Sequence, residues 1–156
     1  MYVTIGELFE QTVNKYKNKE AIVDKMRGVR STFEEWNVEV NQLAHAMLAS
    51  GVRKGDRVST LLFNCFELGT AYFAAAKIGA IINPINFRLK PDEIPYILMD
   101  AAPKIVIFEK ELEGHITKIH DRFPTILFWS IDETTSPYAS SYQDIIKLFF
   151  YNKSKL

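Results

Sequence analysis

The sequence predicts an α/β fold of three layers, a mainly parallel sheet flanked by helices. Three observations carry that expectation. Segments with apolar residues at helical spacing alternate with short strand-like runs, so successive strands need crossover connections. The runs at 57–63, 80–83 and 104–109 are nearly continuous in apolar residues, as strands covered on both faces require. Glycine, proline and asparagine punctuate the junctions between them.

Thr4 and Glu7 have the spacing of a capping box and open a helix with Ile5, Leu8, Phe9 and Val13 on one face. "AIVD" (21–24) reads as a short strand. Thr32 and Glu35 repeat the box and start a long helix whose stripe is Phe33, Trp36, Val40, Leu43, Ala44, Met47 and Leu48, with Gly51 at its C-terminal end. A strand at 57–63, a small-residue helix at 66–79 and a strand at 80–83, stopped by Pro84, follow. In the next helix, 91–102, acids lie in the first turn, where the macrodipole favours them. Pro95 is tolerated only near its start, so the regular helix is expected to begin near Asp92 or Glu93. A strand at 104–109, a helix over "KELEGHITKIH", a strand at 125–130 and a helix at 141–150 complete the order.

A chain of 156 residues, 47% hydrophobic, can bury one sizeable core, so residues 1–156 are read as a single domain. Nineteen basic and nineteen acidic side chains cancel, and no excess of either sign points to nucleic acid. Cys65 is the single cysteine and has no internal partner, which makes a reducing cytoplasm the expected setting. The N-terminus lacks the apolar run of a signal peptide, and the most apolar stretch, "LGTAYFAAAKIGAIINPI", is too short and too interrupted to span a bilayer.

"GVRKGDRV" (51–58) has glycines and basic residues in the manner of a phosphate loop. A phosphate loop, however, follows a strand and enters a helix, so that the helix amides face the anion. Here the order is helix, loop, strand, and the segment is read as a turn with Arg53, Lys54 and Arg57 on its rim. Ligands of open parallel sheets gather beyond the carboxyl ends of strands, which places Asn64, Cys65, Glu67, Asn83, Asn86, Glu109 and Lys110 at the relevant edge. Each has a structural alternative. Asn64 and Asn83 suit turns or caps, and Cys65 has no nearby histidine to activate it. His115 and His120 are five apart instead of the four of a zinc pair, and His45 borders the stripe of its helix. Glu34/Glu35 and Asp92/Glu93 sit at helix starts, where charge–dipole complementarity accounts for them. "DETTSPYASS" (132–141) is rich in hydroxyls, but no glycine follows Gly114 to bare a backbone for phosphate. No catalytic, cofactor-binding or metal residue is assigned.

The span from "STFEEW" to "KIVIFE" (31–109) resembles the N-terminal part of the AMP-forming acyl-CoA synthetases, in the adenylate-forming superfamily. The features are Thr32–Glu35, "GVRKGDRV", the Asn64–Glu67 turn, the helix end at Ala74–Ala80, "NPINFRL" (83–89) and a "YIL" helix leading to "KIVIFE". The resemblance is strongest over residues 4–110, and "NFRLKPDEIPYIL" leans toward fatty-acid and related carboxylate ligases. Trp36 and Phe63 stand where the family usually has leucine and proline. The resemblance implies a parent enzyme that joins a carboxylate to CoA through an acyl-adenylate, using ATP and Mg2+ and releasing AMP and pyrophosphate. The motifs that would do so, a glycine-rich loop ending in Pro-Lys and a C-terminal lysine, have no counterpart in this sequence; Lys147, Lys153 and Lys155 sit in no such motif. The expectation is therefore an incomplete N-terminal subdomain, inactive alone and needing no cofactor of its own. A stand-alone binding or regulatory module partnering a larger synthetase, and an unrelated small doubly wound enzyme, are the alternatives. Ile145, Ile146, Leu148, Phe149 and Phe150 are expected to leave an apolar patch or sheet edge open to self-association.

Overall fold

The computed structural model describes residues 3–149. Helix α1 (Ile5–Tyr16) and helix α2 (Phe33–Ala49) both begin with the full capping box. Thr4 and Thr32 take the amides of Glu7 and Glu35, whose carboxylates return to the threonine amides. Between the helices lies an antiparallel hairpin, β1 (Glu20–Asp24) and β2 (Val29–Thr32).

The parallel sheet contains β3 (Arg57–Leu61), β4 (Ile81–Pro84), β5 (Ile105–Phe108), β6 (Leu127–Ser130) and β7 (Ala139–Ser141) in the spatial order β4-β3-β5-β6-β7. The three apolar runs are thus parallel neighbours, with all of Ile105–Phe108 buried. Pro84 is accommodated because β4 lies at the edge, where a missing amide breaks no outer ladder. Helix α3 (Phe66–Ile78) carries the chain from β3 outward to β4, and α4 (Ile94–Ala101) carries it back past β3 to β5. Right-handed crossovers running in opposite directions put their helices on opposite faces. Two buried clusters follow. Phe9, Trp36, Val40, Leu43, Ala71, Ala74 and Trp129 belong to the one beneath α1, α2 and α3. Leu61, Ile94, Leu98, Phe108, Ile116 and Phe128 belong to the other, beneath α4 and α5 (Glu113–Thr117).

Small residues let the helices of the first layer meet closely. A Cβ on Gly6 would lie 3.0 Å from the Cα of Lys77, so α1 rests almost backbone to backbone on α3. Trp36 fills the space between α1 and α3, edge-on to Phe9 at 5.3 Å and to Phe73 at 5.1 Å, and its indole N–H donates to Thr70 at 3.0 Å. Lys77 is buried there with Glu10, Asn37 and Asn41 around its ammonium.

Several elements differ from expectation. The helix expected over "KELEGHITKIH" is broken into two 3-10 turns around the five-residue α5. Helix α4 meets the expectation of a start near Glu93: Glu93 is the cap, the helix begins at Ile94 and Pro95 is second in it, although Asp92 lies in the preceding turn and does not cap. Strands β2 and β7 were not anticipated. Helix α6 is Tyr142–Lys147, and it does not present a continuous apolar patch. Ile146 is buried and Ile145 and Phe149 pack on the first cluster, leaving Leu148 exposed. Phe150, Lys153 and Lys155 lie outside the described residues.

Candidate functional site

The strand order is that of a doubly wound sheet, with its reversal between β3 and β5; ligands of such sheets bind in the crevice at the carboxyl ends of those strands. In this chain a side chain of the protein fills that position. The turn "DKMRG" between β1 and β2 is set by Asp24, whose Oδ1 accepts the amides of Met26 and Arg27 at 3.0 Å each, and by Gly28 at φ 69°. Asp24 Oδ2 accepts the amide of Phe66 at 3.1 Å, fastening the turn to the start of α3. The amide of Arg27, with those of Phe66 and Met26 and the Arg27 charge, outweighs burial and holds the Asp24 carboxyl below its ordinary range.

From this turn Arg27 reaches across the sheet. Its Nη2 meets Glu109 Oε2 at 3.1 Å and its Nη1 meets Asp132 Oδ1 at 3.1 Å. The Glu109 side chain is only 4% exposed, and its other oxygen accepts the amide of Phe63 at the end of β3. Asp132 also accepts the amide of Lys110 at 2.9 Å. One guanidinium therefore ties the hairpin to the loops leaving β3, β5 and β6. Burial pushes the Glu109 carboxyl up, against the lowering pull of the Phe63 amide and Arg27. Burial alone would weaken the Arg27 charge, but Asp132 and the neighbouring carboxylates raise its pKa.

Beside this clasp an open cleft of about 590 Å3 runs between the hairpin and α3, walled by Ile22, Met26, Phe66, Leu68 and Tyr72. Asn64 and Cys65 are at its margin; Asn64 is exposed, whereas burial pushes the Cys65 thiol up to about 12, so it is not a thiolate nucleophile at neutral pH. Asn83 is turned to structure, donating to Ser59 Oγ at 3.0 Å, and Asn86 closes a local turn on the amide of Arg88. His120 stacks on Tyr138 at 3.9 Å, apart from any metal cluster: among the described residues no group of three potential ligands occurs. The hydroxyls of Thr134 and Ser136 donate to Glu113, which leaves them directed at a carboxylate. At the opposite edge, Gly51 and Gly55 have φ of 91° and 86°, and the arginines of "GVRKGDRV" bond to backbone carbonyls: Arg53 to Leu48 and Val52, Arg57 to Ala101.

The crevice does not fit a nucleotide phosphate. Glu109 and Asp132 would repel one, the only guanidinium there is engaged by both, and no glycine-lined cradle stands at this edge among the described residues. Sequence reasoning placed Glu109 at the correct edge but overlooked Arg27 and Asp132, which lie 82 and 23 residues from it in sequence and meet it only through the fold.

The chain matches the family of AMP-binding enzymes over residues 9–143. It belongs to that family. The long-chain-fatty-acid–CoA ligase FadD13 of Mycobacterium tuberculosis is 36% identical over 104 residues, covering 67% of this chain and 21% of the ligase. The acyl-CoA ligase SID4 of Ajellomyces capsulatus is 34% identical over 116 residues, 74% of this chain and 20% of that one. The chain thus spans about a fifth of the length of these relatives. Among solved structures, an anthranilate CoA ligase bound to anthranoyl-AMP superposes with a TM-score of 0.87 at 30% identity, over 94% of this chain and 28% of that one. The N-terminal domain of FACL13 from M. tuberculosis gives 0.82 at 29%, over 94% and 36%. The chain corresponds to a part of such an N-terminal domain.

Proposed function

We propose that the chain is the scaffold portion of an AMP-forming acyl-CoA synthetase that acts on a fatty acid or related carboxylate, and that it forms no acyl-adenylate by itself. The observation that carries this reading is the Arg27 clasp: the sheet edge where a doubly wound fold would receive its ligand is closed by an internal ion-paired network. Adenylation requires donors arranged around the ATP phosphates and neutralisation of charge as pyrophosphate leaves. The carboxylates of this edge supply neither. ATP, Mg2+ and CoA would be bound by other parts of the parent enzyme, on groups mounted upon this sheet. In this reading residues 1–156 form one structural unit, cytoplasmic in setting, which self-associates through its open sheet edges. No helix among the described residues is long and apolar enough to cross a membrane.

Pyrophosphate exchange with ATP, Mg2+ and a panel of fatty acids tests the reading. The expected result is no exchange above a heat-killed control. Exchange that survives rigorous removal of host ligases, and is lost on Arg27→Ala, would overturn it.

A further inference from the structure

The hairpin between α1 and α2 is held in two different ways along its length. At its base Ala21, Ile22 and Val29 pack on the first cluster, and the Phe33 amide donates to the Lys19 carbonyl at 3.0 Å. Its tip, residues 24–28, contributes no side chain to either cluster, and Met26 is 94% exposed. Among the described residues, the hydrogen bonds and ion pairs that tie the tip to other elements come from Asp24 and Arg27 alone. Asp24 accepts the Phe66 amide at the start of α3, and Arg27 meets Glu109 and Asp132 beyond β5 and β6. No strand pairing joins the hairpin to the parallel sheet, since β1 and β2 form a sheet of their own. The open cleft along α3 leaves the tip room to move. Gly28, at φ 69° with nothing near the place of a Cβ, can absorb the change of backbone on the β2 side.

We propose that this tip is a strap across the ligand-facing edge of the sheet, latched by Arg27 and released as a unit while the base stays packed. Closed, it holds Arg27 over Glu109 and the loops leaving β3, β5 and β6. Open, it uncovers that edge and the neighbouring Cys65. The Arg27 and Asp132 side chains are 27% and 25% exposed, so dissolved ions reach this pair and weaken it. The base is held by apolar contact, on which such screening has no purchase. The two fastenings end on separate elements, one on α3 and one on the loops, so release as a unit must break both together. The strap is a property of this chain's own crevice and stands whether or not the adenylation reading does.

Cys65, the single cysteine of the sequence, is half-buried and lines the same cleft as Asp24 and Met26, so its alkylation reports on the strap in the unaltered chain. The probe is N-ethylmaleimide, which is uncharged; its rate is read at fixed pH against free cysteine at each salt concentration. Between about 0.05 M and about 1 M NaCl the Cys65 rate should rise about fivefold as the latch is screened. Hydrogen exchange of the Phe66 amide, bonded to Asp24, should rise with it, while that of the Phe33 amide at the base holds. Arg27→Met combined with Glu109→Gln removes the latch without leaving Glu109 charged. That variant should react at the raised rate in low salt and show no further response to salt. A salt-independent Cys65 rate in the wild-type chain would overturn the strap, as would an equal salt response in the double variant. Phe33 exchange that rises as much as that of Phe66 would also overturn it, by assigning the opening to the whole hairpin.

Discussion

Arginines stand at both ends of the parallel sheet, and they do different work. At the amino end Arg53 and Arg57 donate to backbone carbonyls left over at the ends of α2 and α4, all but Arg57's partner within five residues. At the carboxyl end Arg27 joins two carboxylates that are distant in sequence, one of them nearly sealed from water. The amino-end arginines finish helices whose stability lies elsewhere. The carboxyl-end arginine compensates charge that the fold has already buried, so its removal leaves something behind.

The comparison breaks first at Arg27. Arg27→Ala leaves Glu109, 4% exposed, without its cation, and loss of one member of a buried pair costs about 3 kcal/mol. Urea unfolding should show that loss, while Arg27→Met combined with Glu109→Gln should recover most of it. A change in Arg27→Ala no larger than that in Arg53→Ala would erase the distinction between the two ends. Next in size is Arg57→Ala, which opens the carbonyl of Ala101 in a half-buried position and should cost about 1.5 kcal/mol by the same measurement. Gly51→Ala tests the turn itself: at φ 91° with open space around it, only backbone strain opposes the methyl group, at about 1 kcal/mol. Asp24→Asn has the smallest expected effect, present at neutral pH and fading in acid. Because Asp24 is held below its ordinary 3.8, its contribution is present above that value and is lost as pH falls through the lowered one. The wild-type midpoint should drop below about pH 4 more steeply than that of the variant, by about 0.5 kcal/mol.

The same contrast accounts for what could be read from the sequence. The turn at 51–58 was legible because its partners are local: glycines at the φ-positive positions and an aspartate three residues from the amide it accepts. Both capping boxes were legible for the same reason. Strands β2 and β7 were not. "VRST" and "ASS" have no apolar alternation, and each becomes a strand only by pairing with β1 and β6. The Arg27 clasp spans 105 residues and leaves no spacing to detect. A faint signal did exist: Glu109 and Asp132 each close an apolar strand run, and a carboxylate at the end of a buried strand calls for a cation. Asn83, placed at the ligand-facing edge with a turn or cap as its alternative, instead lies within β4 and donates to Ser59 on the neighbouring strand.

The division of the core into two layers has a spectroscopic consequence. Trp36 and Trp129, the two tryptophans of the chain, both lie in the cluster beneath α1, α2 and α3, 7% and 2% exposed. The opposite layer, under α4 and α5, holds phenylalanines and Tyr138 but no indole. Emission from this protein is therefore blue-shifted in the native state and follows one face of the sheet. An early detachment of α4 and α5 would pass unseen in fluorescence while far-ultraviolet ellipticity fell. The gap between the two unfolding curves thus measures how independently the two faces come apart.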